Sequence, residues 1–300
     1  MRKYISIDIG GTAIKYGVIA EDASILSRSE MPTEAWNGGP SILDKTAEIV
    51  RRACEAEEIS GICISTAGMV DPQKGEIFYA APLIPNYTGT RFKETLERRF
   101  GIPCEVENDV NCAGLAESVS GAARGSRIMV MLTIGTGIGG CIVMDGKVFH
   151  GAGNSACEVG YLRMRDSDFQ TLGAASSLTR KVAARKGDPD GAWDGRRIFD
   201  AARQGDPDCM RAIDEMADVL GQGMANICYV LDPEVIVLGG GIMAEEDYLR
   251  PRIEAALRAY LVGSMAGHTR IAFARHRNDA GMLGAFYHFM HCHGAETGGV

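Results

Sequence analysis

Hydrophobic positions along the chain occur both in alternation and in short continuous runs, which together predict a mixed α/β protein. Residues 3–9 contain YISIDI and residues 13–20 contain IKYGVIA, and these two predicted strands flank a glycine-rich turn. Ser41 is expected to cap a helix that runs to about Glu58. The same pattern predicts further strands over residues 61–65 and 104–107 and further helices over residues 91–100 and 111–120.

The opening strand–turn–strand pattern recurs in the middle of the chain. Residues 128–134 predict a strand, residues 135–140 a glycine-rich turn and residues 141–144 a second strand, which ends in a hairpin turn at residues 145–146. Two copies in the same order, each at the head of a mixed α/β run, indicate a duplicated domain.

The second copy continues with helices and a buried strand. Asp206 and Pro207 predict the N-cap and first residue of a helix that reaches about Leu231. A buried strand is predicted over residues 235–238, and a last helix over residues 279–291.

The two copies set the expected domain organisation of the 300-residue chain. We expect a smaller α/β domain of residues 1–120 plus 279–300 and a larger one of residues 121–278, because no linker between them is long enough to separate independent modules. The hydrophobic and charged fractions, 46% and 23%, are those of an ordinary globular protein.

The net charge and the length of the apolar runs argue against two classes of partner, nucleic acids and membranes. The net charge of -8 argues against a nucleic-acid partner. Because no apolar run reaches the ~18 residues of a membrane helix and no signal peptide precedes the first strand, we expect a cytoplasmic protein without a membrane partner. Nine cysteines without C-x-x-C spacing indicate buried, reduced thiols rather than disulfides or a thiolate zinc site. His291-Cys292-His293 falls in a polar, glycine-rich tail, where we expect no metal.

Asp8 ends the first predicted strand, and the turn after it carries groups suited to the phosphates of a nucleotide. Gly10 and Gly11 let backbone N–H groups approach an anion without a Cβ in the way. Thr12 offers a hydroxyl, Lys15 offers a cation, and Asp8 can hold a hydrated Mg²⁺. The turn is not a Walker A loop, and on local sequence alone it also fits an ordinary hairpin.

Two further glycine runs have the same capacity. They consist of Gly135, Thr136 and Gly137 and of Gly239, Gly240 and Gly241. A lone run of this kind is a weak signal, but two facing turns from two domains can grip one polyphosphate from both sides. Since ligands of open α/β sheets bind beyond the carboxyl ends of strands, the third run suits an adenosine contact.

Asp109 follows a short predicted strand and is a candidate general base. A carboxylate at this position can accept a proton late in a loose phosphoryl transfer, and the neighbouring Asn108 can hydrogen-bond sugar hydroxyls. From local sequence alone, Asp109 fits equally well as the cap of the next helix.

These strings together resemble the ROK family within the actin/hexokinase/Hsp70 superfamily, over nearly the whole chain. The matching segments are residues 8–15, 65–68, 107–111, 133–140, 238–242 and 278–285. The resemblance implies an actin-like ATPase (ribonuclease H-like) fold of two duplicated domains with a central cleft. It also implies that Asp109 is the catalytic base, that Gly68 lies in the sugar loop and that the three glycine runs bind ATP.

The sugar motif departs from the family pattern. The family reads Glu-x-Gly-His, whereas this chain has Glu158 followed by Tyr161 in place of the histidine that usually contacts sugar and zinc. The downstream cysteine cluster is missing, and Gly173 stands where a further glutamate is usual. The resemblance therefore points to the zinc-lacking branch, similar to β-glucoside kinases and N-acetylmannosamine kinases. We expect a roomier, less acidic sugar pocket lined by Glu158 and Tyr161.

The expected function is ATP- and Mg²⁺-dependent phosphorylation of a hexose, β-glucoside or N-acetylhexosamine. We expect the phosphorylated hydroxyl to be O6 of the sugar. The resemblance also implies a homodimer. Two alternatives stay open: a sugar-responsive ROK regulator, disfavoured by the early first strand and the acidic charge, and a phosphotransferase with a non-sugar acceptor.

Overall fold

The chain folds into two compact units in the computed structural model, which describes all residues except 81–83, 166, 190 and 295–300. Unit 1 comprises Met1–Ser120, His150–Ala156 and Asn278–Val300, and unit 2 comprises Gly121–Phe149 and Cys157–Arg277. Residues 150–156 therefore pack with unit 1, although the sequence analysis placed them in the larger domain.

Strands and helices alternate along both units. The strands are β1 (Lys3–Ile9), β2 (Ala13–Ala20), β3 (Ser29–Pro32), β4 (Gly61–Thr66), β5 (Met69–Asp71), β6 (Glu76–Tyr79), β7 (Cys104–Asn108), β8 (Ile128–Ile134), β9 (Ile138–Met144), β10 (Lys147–Val148), β11 (Arg163–Met164), β12 (Ser167–Asp168), β13 (Val235–Gly239) and β14 (Arg270–Phe273). The helices are α1 (Gly38–Ala56), α2 (Phe92–Phe100), α3 (Asp109–Ser120), α4 (Phe169–Gly173), α5 (Ala175–Lys186), α6 (Gly195–Arg203), α7 (Pro207–Leu231), α8 (Glu246–Tyr260) and α9 (Ala280–Cys292).

The sheet of unit 1 has the strand order β3-β2-β1-β4-β7. β1 pairs antiparallel with β2 and parallel with β4, which in turn pairs parallel with β7. Because side chains alternate along a strand, Ile5 and Ile7 join the core with α1 and α2, whereas Ser6 and Asp8 face α9. The hydroxyl of Ser6 donates to the carbonyl of Met282 in α9 at 2.7 Å. One face of β1 is thus core, and the other presents polar groups to α9.

The sheet of unit 2 repeats this arrangement with the order β10-β9-β8-β13-β14. β8 pairs antiparallel with β9 and parallel with β13, as β1 does with β2 and β4. The internal repeat predicted from the sequence is therefore confirmed in strand order. The predicted N-cap is confirmed too, since the Asp206 carboxylate accepts from the N–H groups of Asp208 and Cys209 at the start of α7.

Each unit has its own hydrophobic core. The core of unit 2 includes Leu132, Leu220 and Leu238, which are fully buried, and that of unit 1 includes Ile7 and Ile64. None of the helices in the described part of the chain combines the length and hydropathy that a membrane-spanning helix needs.

Two helix boundaries differ from those predicted. α1 begins at Gly38, so Ser41 lies inside the helix and is not its N-cap. The earlier start is possible because proline is tolerated in a first helical turn, where Pro40 lies, and the N–H of Gly39 donates to the carbonyl of Pro85 at 2.8 Å. α9 extends to Cys292, which places the His-Cys-His tract at a helix end and not in a polar tail.

Candidate active site

Asp8 lies at the carboxyl end of β1 with partners from both neighbouring strands. Its register partners are Lys15 on β2 and Ser65 on β4. The Ser65 hydroxyl donates to Oδ1 of Asp8 at 2.7 Å. Burial raises the pKa of Asp8, while the Ser65 hydrogen bond and the charge of Lys15 oppose that rise. The carboxylate is therefore fixed in position at the end of the strand.

Residues at and just before the start of α9 contact Lys15 and Asp8. Lys15 Nζ donates to Oδ1 of Asn278 at 3.1 Å. Gly281 in α9 lies against Asp8, and a Cβ at that position would be 2.6 Å from Oδ2 of the carboxylate. Only glycine therefore lets the first turn of α9 approach Asp8 this closely without displacing it.

The turn after β1 is held by hydrogen bonds on one side and is exposed to solvent on the other. The N–H of Gly10 donates to the carbonyl of Ala13 at 3.0 Å, and Thr33 anchors the turn by donating to the carbonyls of Gly10 and Thr12. Gly11 and Thr12 are exposed, and a Cβ at Gly11 would meet open space. The turn can therefore present its N–H groups and the Thr12 hydroxyl to a ligand.

Asp109 is the first residue of α3, directly after β7. The Asn108 side chain, and not Asp109, caps the helix by accepting from the N–H groups of Val110 and Asn111 at 2.9 and 3.1 Å. Asn108 also donates to Oδ1 of Asp109 at 3.0 Å, and the Val110 N–H reaches the same oxygen at 2.9 Å. Within the described residues, the hydrogen bonds from Asn108 and Val110 both end on Oδ1 of this carboxylate and not on Oδ2.

The pKa of Asp109 is raised to about 7. Burial of the carboxylate is the largest cause, and the negative charge of Asp8 is the second. Hydrogen bonds from Val110 and Asn108 oppose the rise. A carboxyl group with this pKa exchanges its proton near neutral pH, as a general base must.

Gly68 lies between β4 and β5 and is tied to the Asp109 segment. Its φ of +96° belongs to the region that favours glycine, and its carbonyl accepts from Asn108 Nδ2 at 2.9 Å. Thr66 and Tyr87 are joined by a hydrogen bond between their hydroxyl groups just beside it. Unit 1 thus brings Asp8, Gly68 and Asp109 to the carboxyl ends of three adjacent strands.

The two glycine runs of unit 2 also lie side by side. The carbonyl of Thr136 accepts from the Ser176 hydroxyl at 2.6 Å, so the start of α5 holds this turn. Gly239 pairs with Thr133, and a Cβ at Gly240 would collide with the backbone of Ile134. Gly240 also has a φ of +106°, so glycine is required there on two grounds. Gly241 opens the short 3-10 helix Gly241–Ala244.

The sugar motif of unit 2 presents a carboxylate and an aromatic ring, both on exposed residues. Burial raises the pKa of Glu158, and Tyr161 is 56% exposed at the end of a 3-10 turn. Gly173 is buried, and a Cβ there would lie 2.9 Å from Cγ1 of Val219 and 3.3 Å from Cδ1 of Ile138. Core side chains therefore surround Gly173, where the family pattern has a glutamate.

The predicted site residues fall into two groups, one in each unit. The group in unit 1 consists of Asp8, Gly10, Gly11, Thr12, Lys15, Gly68, Asn108 and Asp109. The group in unit 2 consists of Gly135, Thr136, Gly137, Gly239, Gly240, Gly241, Glu158 and Tyr161. Within each unit the residues share one end of a sheet.

Several contributors were missed by sequence reasoning. Ser65 as the partner of Asp8 follows only from the parallel register of β1 and β4. Glu107 is fully buried, and its Oε2 lies 2.6 Å from His150 Nε2. No local pattern signals that pair, because the two residues meet only when residues 150–156 fold onto unit 1.

Comparisons with known proteins agree with this architecture. A model of the ROK family matches residues 4–291. An uncharacterized protein of Clostridium perfringens is 50% identical over 96% of this chain and 98% of its own length. The β-glucoside kinase of Listeria monocytogenes is 34% identical over 96% of this chain and 97% of its own length. The structure of a ROK family glucokinase from Streptomyces griseus, in complex with glucose and AMPPNP, has a TM-score of 0.82 at 29% identity and covers 94% of this chain and 97% of that one.

Two units of matching strand order, each with a glycine-rich turn after its first strand, define a sugar kinase of the actin-like ATPase fold. This confirms the fold expected from the sequence. Since the family model covers most of the chain, the chain belongs to the ROK family.

Proposed function

We propose that this ROK protein transfers the γ-phosphoryl group of ATP to a hydroxyl, O6, of a hexose, β-glucoside or N-acetylhexosamine. The observation that carries the proposal is the position of Asp109. Its Oδ1 is held by Asn108 and the Val110 N–H, and its pKa of about 7 suits proton transfer at neutral pH.

In the proposed reaction Asp109 acts as general base. The sugar hydroxyl gives its proton to Oδ2 of Asp109 while its oxygen forms a bond to the γ-phosphorus, and the bond from that phosphorus to the bridging oxygen breaks to release ADP. Little covalent chemistry is left to the protein, so its main tasks are positioning and charge stabilisation.

The phosphates are assigned to the glycine-rich turns. In unit 1 the exposed Gly11 and Thr12 can offer N–H groups and Lys15 supplies a cation. In unit 2 the turn at Thr136 and Gly137 can offer N–H groups of its own. The carboxylate of Asp8, fixed by Ser65, fits Mg²⁺ bound through water, because Mg²⁺ prefers oxygen ligands and retains several waters. When bound, the ion offsets the charge of the phosphates.

Polar groups near Asp109 in unit 1, and separately the sugar motif of unit 2, are each suited to sugar hydroxyls. Asn108, whose amide already joins Gly68 to Asp109, and Glu158 can each hydrogen-bond hydroxyl groups. Tyr161 presents an exposed aromatic ring of the kind on which sugars stack. The names of the relatives suggest glucose and β-glucosides as the first substrates to examine.

A coupled ADP-release assay tests the proposal. The purified chain is incubated with Mg²⁺, ATP and either glucose, a cellobiose-type β-glucoside, N-acetylmannosamine, N-acetylglucosamine or no acceptor. We expect ADP release to rise above the acceptor-free rate with at least one sugar, and NMR of the product to show phosphate on O6. Release with a carboxylate acceptor alone would indicate a non-sugar phosphotransferase. Sugar-dependent DNA binding in a gel shift, without ADP release, would indicate a regulator.

A further inference from the structure

A cluster of metal-ligating side chains lies in unit 1 between β7 and the last turn of α9. Glu105, His288 and Cys292 each offer one ligand atom, and these atoms lie within 4.8 Å of one another. The cluster is separate from Glu158 and Tyr161, which belong to unit 2. It is therefore distinct from the position at which the ROK family carries its zinc motif.

The arrangement follows from two short spacings in the sequence. His288 and Cys292 are four residues apart on α9 and so share one face of the helix, as the two histidines of a helical zinc motif do. Glu105 projects from β7, which packs against α9. Three donors from two elements thus converge on one point.

The distances and the donor types suit zinc. His288 Nε2 lies 3.7 Å from Cys292 Sγ, close to the ~3.5 Å that separates two ligands of a tetrahedral zinc ion with bonds of about 2.0 to 2.3 Å. A set of one imidazole, one thiolate and one carboxylate matches a borderline-soft ion better than Mg²⁺ or Ca²⁺. We propose that Glu105, His288 and Cys292 bind one zinc ion between β7 and α9.

Neighbouring groups support the three ligands. His288 Nδ1 faces Oε2 of the fully buried Glu107 at 3.7 Å, a carboxylate placed to orient the ring as second partners of zinc-bound histidines do. His293 Nε2 lies 3.0 Å from Oε1 of Glu105 and contacts this carboxylate from outside the cluster. Cys292 is exposed, so the ion has a path from solvent.

Protonation and competition shape the expected affinity. His288 binds the ion through a neutral ring nitrogen, and the Cys292 thiol must lose its proton to become a ligand. Binding therefore releases a proton and should strengthen as the pH rises. Lys93 Nζ contacts both oxygens of Glu105 at 2.7 Å and competes with the ion for that carboxylate. Removing the Lys93 charge should therefore strengthen metal binding.

The proposed zinc ion would link the C-terminal end of α9 to β7, the strand that directly precedes Asp109. β7 runs from Cys104 to Asn108, and the first turn of α9 lies against Asp8. An ion at Glu105 therefore stabilises the packing of both elements without entering the proposed reaction.

The test uses the full chain stripped of metal with a chelator. Zn²⁺ binding is measured by calorimetry, and Co²⁺ is added as a spectroscopic probe because thiolate ligation gives a charge-transfer band. We expect one ion per chain, a thiolate band and a melting temperature that rises with Zn²⁺ concentration. Cys292→Ser should abolish the band, His288→Gln should weaken binding about 10-fold or more, and Lys93→Ala should strengthen it.

Cys54→Ser serves as the matched control, since Cys54 is a partly buried thiol on α1 outside the cluster. Circular dichroism establishes that each variant is folded. Stoichiometric binding with a band that survives in Cys292→Ser, an equal loss in Cys54→Ser, or absence of binding to the folded parent chain would each overturn the proposal.

Discussion

The hydroxyl of Ser65 donates a 2.7 Å hydrogen bond to Oδ1 of Asp8 across two parallel strands. The bond stabilises the ionised carboxylate against the cost of its burial. Asp8 is thereby fixed where the turn of Gly10 and Gly11 begins. The orientation of the Asp8 carboxylate therefore depends on Ser65, which lies outside the sequence motif of the turn.

Removing this hydroxyl should impair the response to Mg²⁺. In Ser65→Ala we expect the half-saturating Mg²⁺ concentration to rise about 5- to 10-fold, because a hydrogen bond to a charged group contributes about 1.5 kcal/mol or more. Kinase rates over a Mg²⁺ titration measure the effect. Ser24→Ala is the matched control, since Ser24 makes a similar 2.6 Å bond to Asp22 in an exposed turn. Equal Mg²⁺ dependence in the two variants would refute the assigned role of Asp8.

Glu158 should affect the sugar and not the nucleotide. In Glu158→Gln we expect the KM for the sugar to rise about 10-fold, because a carboxylate accepts stronger hydrogen bonds from hydroxyl groups than an amide does. The KM for ATP should stay unchanged. Steady-state kinetics with each substrate varied in turn separate the two, and Glu58→Gln, at an exposed position two residues after α1, is the control. A change confined to ATP would assign Glu158 elsewhere.

The raised pKa of Asp109 predicts a pH-dependent gain in stability on its neutralisation. The folded state holds the proton up to about pH 7, whereas the unfolded chain loses it near the ordinary value of 3.8. Stability from this group is therefore present below pH 3.8 and is lost as the pH rises to 7. Asp109→Asn should be more stable than the parent at pH 8 by about 2 kcal/mol, after allowance for solvent screening, and only slightly so at pH 4.

Urea unfolding at the two pH values checks this difference. Asp44→Asn, which changes an exposed aspartate on α1, should show equal stability relative to the parent at both. A pH-independent effect of Asp109→Asn would mean that the carboxyl titrates normally.

The pH dependence of kcat/KM should follow the ionisation of the Asp109 carboxyl. Because the base must be deprotonated, kcat/KM should be level above pH 7 and fall about tenfold per pH unit well below it. Initial rates from pH 5 to 8.5, corrected for protonation of ATP, measure the profile. A kcat/KM that stays level down to pH 5.5 would be incompatible with a base of this pKa.

Local periodicity was sufficient to predict much of the fold. The strands flanking both glycine turns follow from alternating isoleucines and valines, and the repeat at residues 128–144 predicted the matched strand order of the two sheets. Asp8 and Asp109 could be selected because each lies at or just after the carboxyl end of a short hydrophobic strand. Such signals depend only on neighbours along the chain.

Features that depend on distant residues could not be predicted. The pKa of Asp109 depends on burial and on Asp8, which the sequence does not place beside it. From the sequence, either Asn108 or Asp109 could cap α3. In the structure, Asn108 accepts the hydrogen bonds from the first N–H groups of the helix. His291 and Cys292 end a largely hydrophobic helix, but the glycines after them suggested a tail.

The role of Asp109 is tested most directly by the turnover of Asp109→Asn. We predict that sugar phosphorylation falls about 10²- to 10⁴-fold while calorimetry still detects sugar binding, since the amide keeps the contacts of Oδ1 but cannot take the proton. Asp44→Asn should retain parent turnover. Near-normal turnover of Asp109→Asn would contradict the account.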